Sequence, residues 1–241
     1  MAYTILCDEG VTFTASELLS PHFIKVKAHD FAGAVDRVSG DVYMITMSPS
    51  FSGAYEAACR VRDAVREQEP ERNIFVIDTR TAFAGELAVA RRLHDLLLAG
   101  KQPEQALLET QEYIESLSTV GVLDRGDVLR EKQAVSRRGA RLRARFGRQL
   151  LMEGGQDGRL HVRGRSRGGA LDDICALAAK RFTQRREKPE RCVITYSGCP
   201  EGAKELGRKL KKLCGFRELV IIPADQSAVR YMGSGTMLAA F

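Results

Sequence analysis

The sequence predicts an α/β protein of two lobes, the first with a mostly parallel sheet flanked by helices, the second a smaller α/β unit. Three observations carry that prediction. From Ile5 to Leu123, short apolar runs alternate with helical periodicities, the pattern of a sheet whose crossover helices cover its faces. Beyond residue 148 a hairpin pattern, 149–153, the turn 154–158 and 159–165, opens a second alternation. Between them lies an arginine-crowded stretch that interrupts both. The expected boundaries are therefore 1–125 for the N-terminal lobe, 126–148 for a basic helical connector, and 149–241 for the C-terminal lobe.

The run 5–8 is a candidate first strand, and 42–47 reads as a strand buried on both faces. Ala54, Ala57, Ala58, Val61, Ala64 and Val65 then fall on one helical face, and Pro70 ends the pattern before a strand at 74–77. A second helix runs through Leu87, Ala90, Leu93 and Leu97 to Gly100, where a glycine suits the stop. Pro103 suits the first turn of a third, with Leu107, Tyr113, Ile114 and Leu117 inward. The run 119–123 is expected to return to the first sheet. In the connector Val135, Gly139, Leu142 and Phe146 share a side, while Arg137, Arg141 and Arg145 crowd the others. The second lobe continues with a helix over 170–185, a strand at 192–196, a helix over 201–213, a strand at 219–223 and a last strand to Phe241.

The segment after 42–47 holds the clearest chemistry. Ser48, Ser50 and Ser52 alternate ahead of Gly53, and a helix begins at once. The first N–H groups of a helix lack internal partners and carry the positive end of its dipole, so this order makes an anion-binding place. Gly53 would let a ligand reach the backbone, and the hydroxyls could donate. The plainer alternative is that Ser52 only caps the helix while Ser48 and Ser50 satisfy turn amides.

Other functional classes find less support. The 241 residues, 44% hydrophobic and 28% charged, are ordinary for a globular protein. No apolar stretch approaches the ~20 residues of a membrane span, and residues 1–4 do not open a signal peptide, so a cytoplasmic protein is expected. The six cysteines are scattered without a Cys-x-x-Cys pair and the four histidines lack paired spacing. Reduced, mostly buried thiols and no metal site are expected. Cys199, in a strand-to-helix turn, is the one candidate for thiolate reactivity. Asp8 and Asp78 fall at strand ends, where α/β folds place ligands, but neither strand is followed by a Gly-x-Gly-x-x-Gly. Asp78 is read as capping its own turn. With no nucleophile–base pair visible, no reaction and no cofactor are assigned. The arginine stripe and the net charge of +6 keep an anion- or nucleic-acid-binding regulatory protein as the alternative. Without interleaved aromatics, a solvated face or a docking surface for an acidic protein fits the stripe better.

The segment 42–55 also resembles the Ser-Ser-x-x-Ser-Gly-Thr-Tyr region of the DegV family of bacterial fatty-acid-binding proteins, which include the lipid-carrying subunits of fatty acid kinase. The strand 74–79 followed by Gly85, the hairpin with Val162-Arg163-Gly164, and the Gly233-Ser-Gly tail fall in that family's order. The resemblance implies a two-lobed DegV-like fold that binds a long-chain fatty acid between its lobes. It further implies that the carboxylate is presented to a separate kinase by a chain that is not itself an enzyme. Carried over, Ser50, Ser52 and Gly53 hold the carboxylate, Arg163 lies near it, and Tyr231 stands where the family has a histidine. The family's Thr-Ser-Gln-Pro turn is missing and the N-terminal region is shortened. Lys27 or His29 is expected to complete the head-group site, or the site is left open.

Overall fold

The computed structural model describes residues 2–123, 149–166, 169–185 and 188–241. The basic connector, with Arg137, Arg141 and Arg145, lies outside the described residues. Strands β1 (Tyr3–Cys7), β2 (Phe23–Lys25), β3 (Asp41–Thr46) and β4 (Ile74–Asp78) form one sheet, ordered β2-β1-β3-β4 and wholly parallel. The register pairs Cys7 with Lys25 and Ile45, and Ile45 with Ile77. The loops leaving these strands therefore share one rim, the carboxyl rim where open α/β sheets take ligands. Helices α1 (Ala15–Leu19) and α2 (Phe31–Asp36) occupy the short N-terminal region, and α3 (Ala54–Gln68) follows β3. Leu6, Val42, Met44 and Ile74 on one sheet face meet Phe31, Ala34, Ala54 and Ala58 of α2 and α3.

The second sheet contains β5 (Thr119–Leu123), β6 (Leu150–Gly154), β7 (Leu160–Arg165), β8 (Arg191–Ser197), β9 (Glu218–Pro223) and β10 (Thr236–Ala240). Its order is β7-β6-β5-β10-β8-β9, antiparallel except for β8 beside β9. The expected return of 119–123 to the first sheet is corrected by this pairing. β5 lies between β6 and β10, and Gly121 lets β10 approach: a Cβ there would stand 2.1 Å from the Met237 carbonyl oxygen. A short apolar run specifies a strand buried on both faces but not the sheet that receives it. The C-terminal half is the shorter in chain, yet its sheet is the wider because it recruits β5. Helices α6 (Ala170–Thr183) and α7 (Pro200–Cys214) cover the outer face, packing on Val120, Val122, Ile194 and Ala239. A short α8 (Gln226–Met232) precedes β10.

Between the sheets lies α4 (Ala84–Leu98), with α5 (Pro103–Ser116) packed against it. The spacing of Leu87, Ala90, Leu93 and Leu97 predicts one buried stripe, but every residue from Thr81 to Ala90 is buried. The reason is that α4 packs on β1 and β3 on one side and on β8 and β10 on the other. Tyr43, Ile45, Leu87, Leu93, Met152, Val193 and Leu238 consequently belong to one core spanning both sheets. Truncating Leu87 or Leu93 to Ala should cost ~2–5 kcal/mol of stability, because neither sheet can collapse into the space independently.

The first turn of α4 holds a charge in this apolar setting. Glu86 is fully buried beside Asp8, which is 1% exposed, and its carboxyl oxygens make no well-formed hydrogen bond among the described residues. Asp8 is better placed, accepting from Gly10 N at 2.7 Å and Met47 N at 2.8 Å. Burial drives both acids up: Asp8 to about 6 and Glu86 well above the ordinary glutamate range, with the Asp8 charge adding to the latter. A proton held on Glu86 supplies the donor it lacks and lets it hydrogen-bond Asp8, the arrangement adopted by two carboxyls that cannot both ionise. The folded state then binds more protons than the unfolded chain. The pair's contribution is complete below about pH 4, where the unfolded carboxyls are still protonated; Asp8's share is lost by the time pH passes about 6, and Glu86's share goes on falling until Glu86 itself ionises in the folded state. Glu86→Gln supplies a permanent donor. Urea melts between pH 5 and 9 should show a flatter pH profile for the variant than for the parent, with the variant the more stable at pH 9. Parallel profiles would mean that no proton is shared.

Candidate ligand site at the rim between the two sheets

The serine turn closes the end of β3. Ser48, 2% exposed, donates its backbone N–H to Thr81 O at 2.9 Å and accepts Phe51 N on its carbonyl at 2.8 Å. Its hydroxyl accepts from Ser50 N at 3.3 Å, and the Ser52 hydroxyl accepts from Ala54 N at 3.3 Å. The N-cap of α3 is Gly53, not Ser52, and a glycine offers no side-chain acceptor to the first-turn amides. Ser50 and Ser52 are half-buried; Gly53 is exposed, with open space where a Cβ would stand.

Facing this turn is the β4–α4 loop. Asp78 Oδ1 accepts Arg80 N at 2.8 Å, which makes it the turn cap the sequence suggests. Burial raises the Asp78 pKa. Arg80 and Phe83 have positive φ, 51° and 56°, a conformation that costs non-glycine residues energy and persists only under surrounding constraint. Phe83 packs edge-on against Phe51 of the serine turn, ring centroids 6.1 Å apart. The third wall is the β6–β7 turn: Gly158, at φ +72°, lies so close that a Cβ would stand 2.2 Å from Ser48 Oγ. Thr81 Oγ1 meets Thr119 Oγ1 at 3.1 Å and joins the loop to β5. Hydroxyls and a helix N-terminus thus lie over Met47, Phe51, Phe83, Leu87, Met152 and Leu160 of the shared core. A polar rim over apolar depth suits an amphiphile with an acidic head.

The remaining expected residues are dispersed. Arg163, expected near the serines, makes its described ion pair elsewhere. Arg163 and Arg181 both bind the Glu153 carboxylate, and Glu153 is only 4% exposed. Burial alone would raise the Glu153 pKa, but hydrogen bonds from Arg181 and Arg163 more than offset it and hold it below the usual range. Strand alternation sends Arg163 toward α6, while Leu160 and Val162 face the shared core. It also lies five residues, roughly 16 Å of strand, from Gly158. It lines an open groove of about 1380 Å³ with His161, Arg185, Arg191 and Glu218, to which Ser50, Ser52 and Gly53 do not contribute.

Lys27 and His29 are exposed just beyond β2. They share the rim with the serine turn but stand two strands away, about 10 Å. The lysine that reaches inward is Lys25, whose Nζ donates to Val11 O at 2.6 Å and pairs with Asp225, the N-cap of α8. Tyr231 falls in α8, and its side chain lies outside the described residues. Glu86 and Lys25 were not anticipated. Glu86 left a signal, being the only charge in the run from Ala82 to Ala90; Lys25 left none. The Cys199 thiol is held up by burial, so the expected candidate for reactivity gains no support from its surroundings.

The described residues include no helix long and apolar enough to cross a membrane. A family model described as an uncharacterised protein of the DegV family matches residues 25–241. The DegV domain-containing protein YteA of Lactococcus lactis is 25% identical over 233 residues, covering 95% of this chain and 77% of the relative. Two solved structures share the fold over nearly the whole chain. A DegV family protein of Ruminococcus gnavus, refined with vaccenic acid, superposes with TM-score 0.88 at 20% identity, covering 99% of both chains. The Streptococcus pneumoniae Fatty Acid Kinase (Fak) B3 protein loaded with linoleic acid gives TM-score 0.85 at 16% identity, over 100% of this chain and 99% of that one. A family match across almost the full length, on a fold of a parallel sheet and a mixed sheet joined by one core, establishes that this chain belongs to the DegV family.

Proposed function

We propose that this chain binds a long-chain fatty acid, or a related carboxylate, with its head at the serine turn and its tail in the apolar space between the sheets. The observation that carries this reading is the juxtaposition of the Ser50–Ser52–Gly53 turn and the α3 N-terminus with a core shared by both sheets. The vaccenic and linoleic acids named with the two related structures support it. Each CH2 drawn into the core is worth roughly 0.8 kcal/mol, so the tail supplies most of the affinity. The head costs several kcal/mol to desolvate unless donors meet it, and the hydroxyls with the first-turn amides beyond Ala54 serve that need. Lys27, exposed on the same rim, adds salt-sensitive attraction of ~0.2–1 kcal/mol.

The same reading makes the protein a carrier, with no chemistry of its own, that presents the carboxylate at the rim to a separate kinase. The kinase subunit named among the related structures supports this step.

Native mass spectrometry of the purified protein tests the ligand class. An adduct that releases a fatty acid on denaturing extraction is expected, and a protein of bare chain mass that takes up no added oleate would overturn the proposal. Two substitutions test the geometry by calorimetry. Ser52→Ala removes a charge-assisted hydrogen bond and should weaken fatty acid binding by ~1.5–3 kcal/mol, about 10- to 150-fold. Arg163→Ala should leave affinity within about twofold, since its guanidinium serves Glu153, which Arg181 continues to pair. The reverse pattern would put the head-group at Arg163 instead.

A further inference from the structure

Residues 9–22, between β1 and β2, cross the seam between the lobes and are held mainly by polar clasps. At one end Gly10 N donates to Asp8 Oδ1. Lys25 Nζ holds Val11 O, and Asp225 N donates to Thr12 Oγ1 at 3.2 Å, so the α8 N-cap grips the segment from the second lobe. In the middle Arg91 of α4 pairs with Glu17 at 2.5 Å, donates to Thr14 Oγ1 at 3.2 Å, and also pairs with Glu218 at the start of β9. At the far end His22 Nδ1 meets Tyr3 O at 3.0 Å and its ring stacks on Tyr3 at 4.2 Å.

Apolar burial reinforces these contacts at one end of the segment and not at its apex. Val11 and Phe13 are buried, but Leu18 and Leu19 at the apex are 69% and 86% exposed. Beneath the segment lies the edge of the proposed head-group site. A Cβ on Gly10 would stand 2.2 Å from Met47 Sδ and 2.8 Å from Glu86 Oε2, so the backbone at Gly10 rests directly on the residue that leads into the serine turn. Lifting 10–13 would uncover Met47, Glu86 and the edge of the shared core.

We propose that residues 9–22 are a gate over the interlobe core, hinged at Asp8 and His22, which opens as a unit when Arg91 releases Glu17 and the Lys25–Asp225 clasp parts. The passage of ligand through it rests on the fatty-acid reading; the opening itself does not. A segment anchored by a few buried residues and otherwise by side-chain hydrogen bonds and ion pairs, with an exposed apex, is the kind that opens locally while the core stays folded. Opening costs neither lobe its sheet, because no strand is contained in 9–22.

Hydrogen exchange and ligand kinetics on the full chain test it together. In Glu17→Gln, and separately in Lys25→Met, amide exchange across 9–22 should rise roughly tenfold while β3 and β8 keep the parent's protection. Entry and release of cis-parinaric acid, a fluorescent 18-carbon acid, should accelerate by a common factor, leaving Kd within about twofold. Exchange in 9–22 that occurs only with global unfolding overturns the gate. So does faster exchange in either variant with unaltered uptake and release. If the parent binds neither parinarate nor oleate, the fatty-acid reading fails on its own, and local against global exchange still decides whether the segment opens as a unit.

Discussion

Helix α4 has no solvent face over its first two turns, because the parallel sheet lies on one side and the mixed sheet on the other. The molecule therefore cannot behave as two lobes with separate cores. Tyr43 of β3 and Leu238 of β10 belong to the same apolar cluster, and the helix between them sets the distance across which both sheets must fit. Close-packed interiors transmit such a constraint, since a change of one methylene on α4 is felt by both sheets. The first turn of that helix also meets the carboxyl rim of the parallel sheet. The serine turn, the strained Arg80–Phe83 loop and the Asp8–Glu86 pair thus gather at one place.

That gathering explains why polar groups are tolerated so deep. Asp8 has two backbone donors, which suit an anion, whereas Glu86 lies against the Asp8 carboxyl without such a pair of donors, which suits a neutral acid. Environment divides two nearby carboxyls into different protonation states. Lys25 stands close enough to lower the Glu86 pKa slightly, but its ammonium is committed to Val11 O and Asp225. The serine turn is built with the same economy. Its hydroxyls accept from turn amides, Ser52 taking that of Ala54, and Gly53 offers no side-chain acceptor to the rest of the α3 first turn. First-turn amides that no side chain caps at this exposed rim are open to an anion, which ties the local structure to the proposed ligand.

Much of this was legible before any fold was known. Alternating apolar runs placed β1, β3, β4, β8 and β9, the spacing of Leu87, Leu93 and Leu97 placed α4, and the strand–serine–glycine–helix order marked the rim. Such signals are local: period, cap and turn chemistry act within a few residues and are written in the chain. The order of family motifs extended this to the family and to the class of ligand proposed.

What the sequence by itself determined is therefore most of the elements, though not β2, α1, α2 or α8, together with the serine turn and the family. Tertiary structure alone decided which sheet takes β5, because an apolar strand such as 119–123 fits between any two partners that offer hydrogen bonds. It decided that Arg163 serves Glu153, since strand parity and the position of α6, neither visible from a Val-Arg-Gly motif, send the side chain outward. It decided that Lys25 rather than Lys27 reaches between the lobes, a choice fixed by Asp225, two hundred residues further along the chain. It also decided the protonation of Glu86, which depends on an aspartate brought beside it only when the sheet and the helix close together. Interactions of that range leave no periodicity behind, so no reading of neighbouring residues could have recovered them.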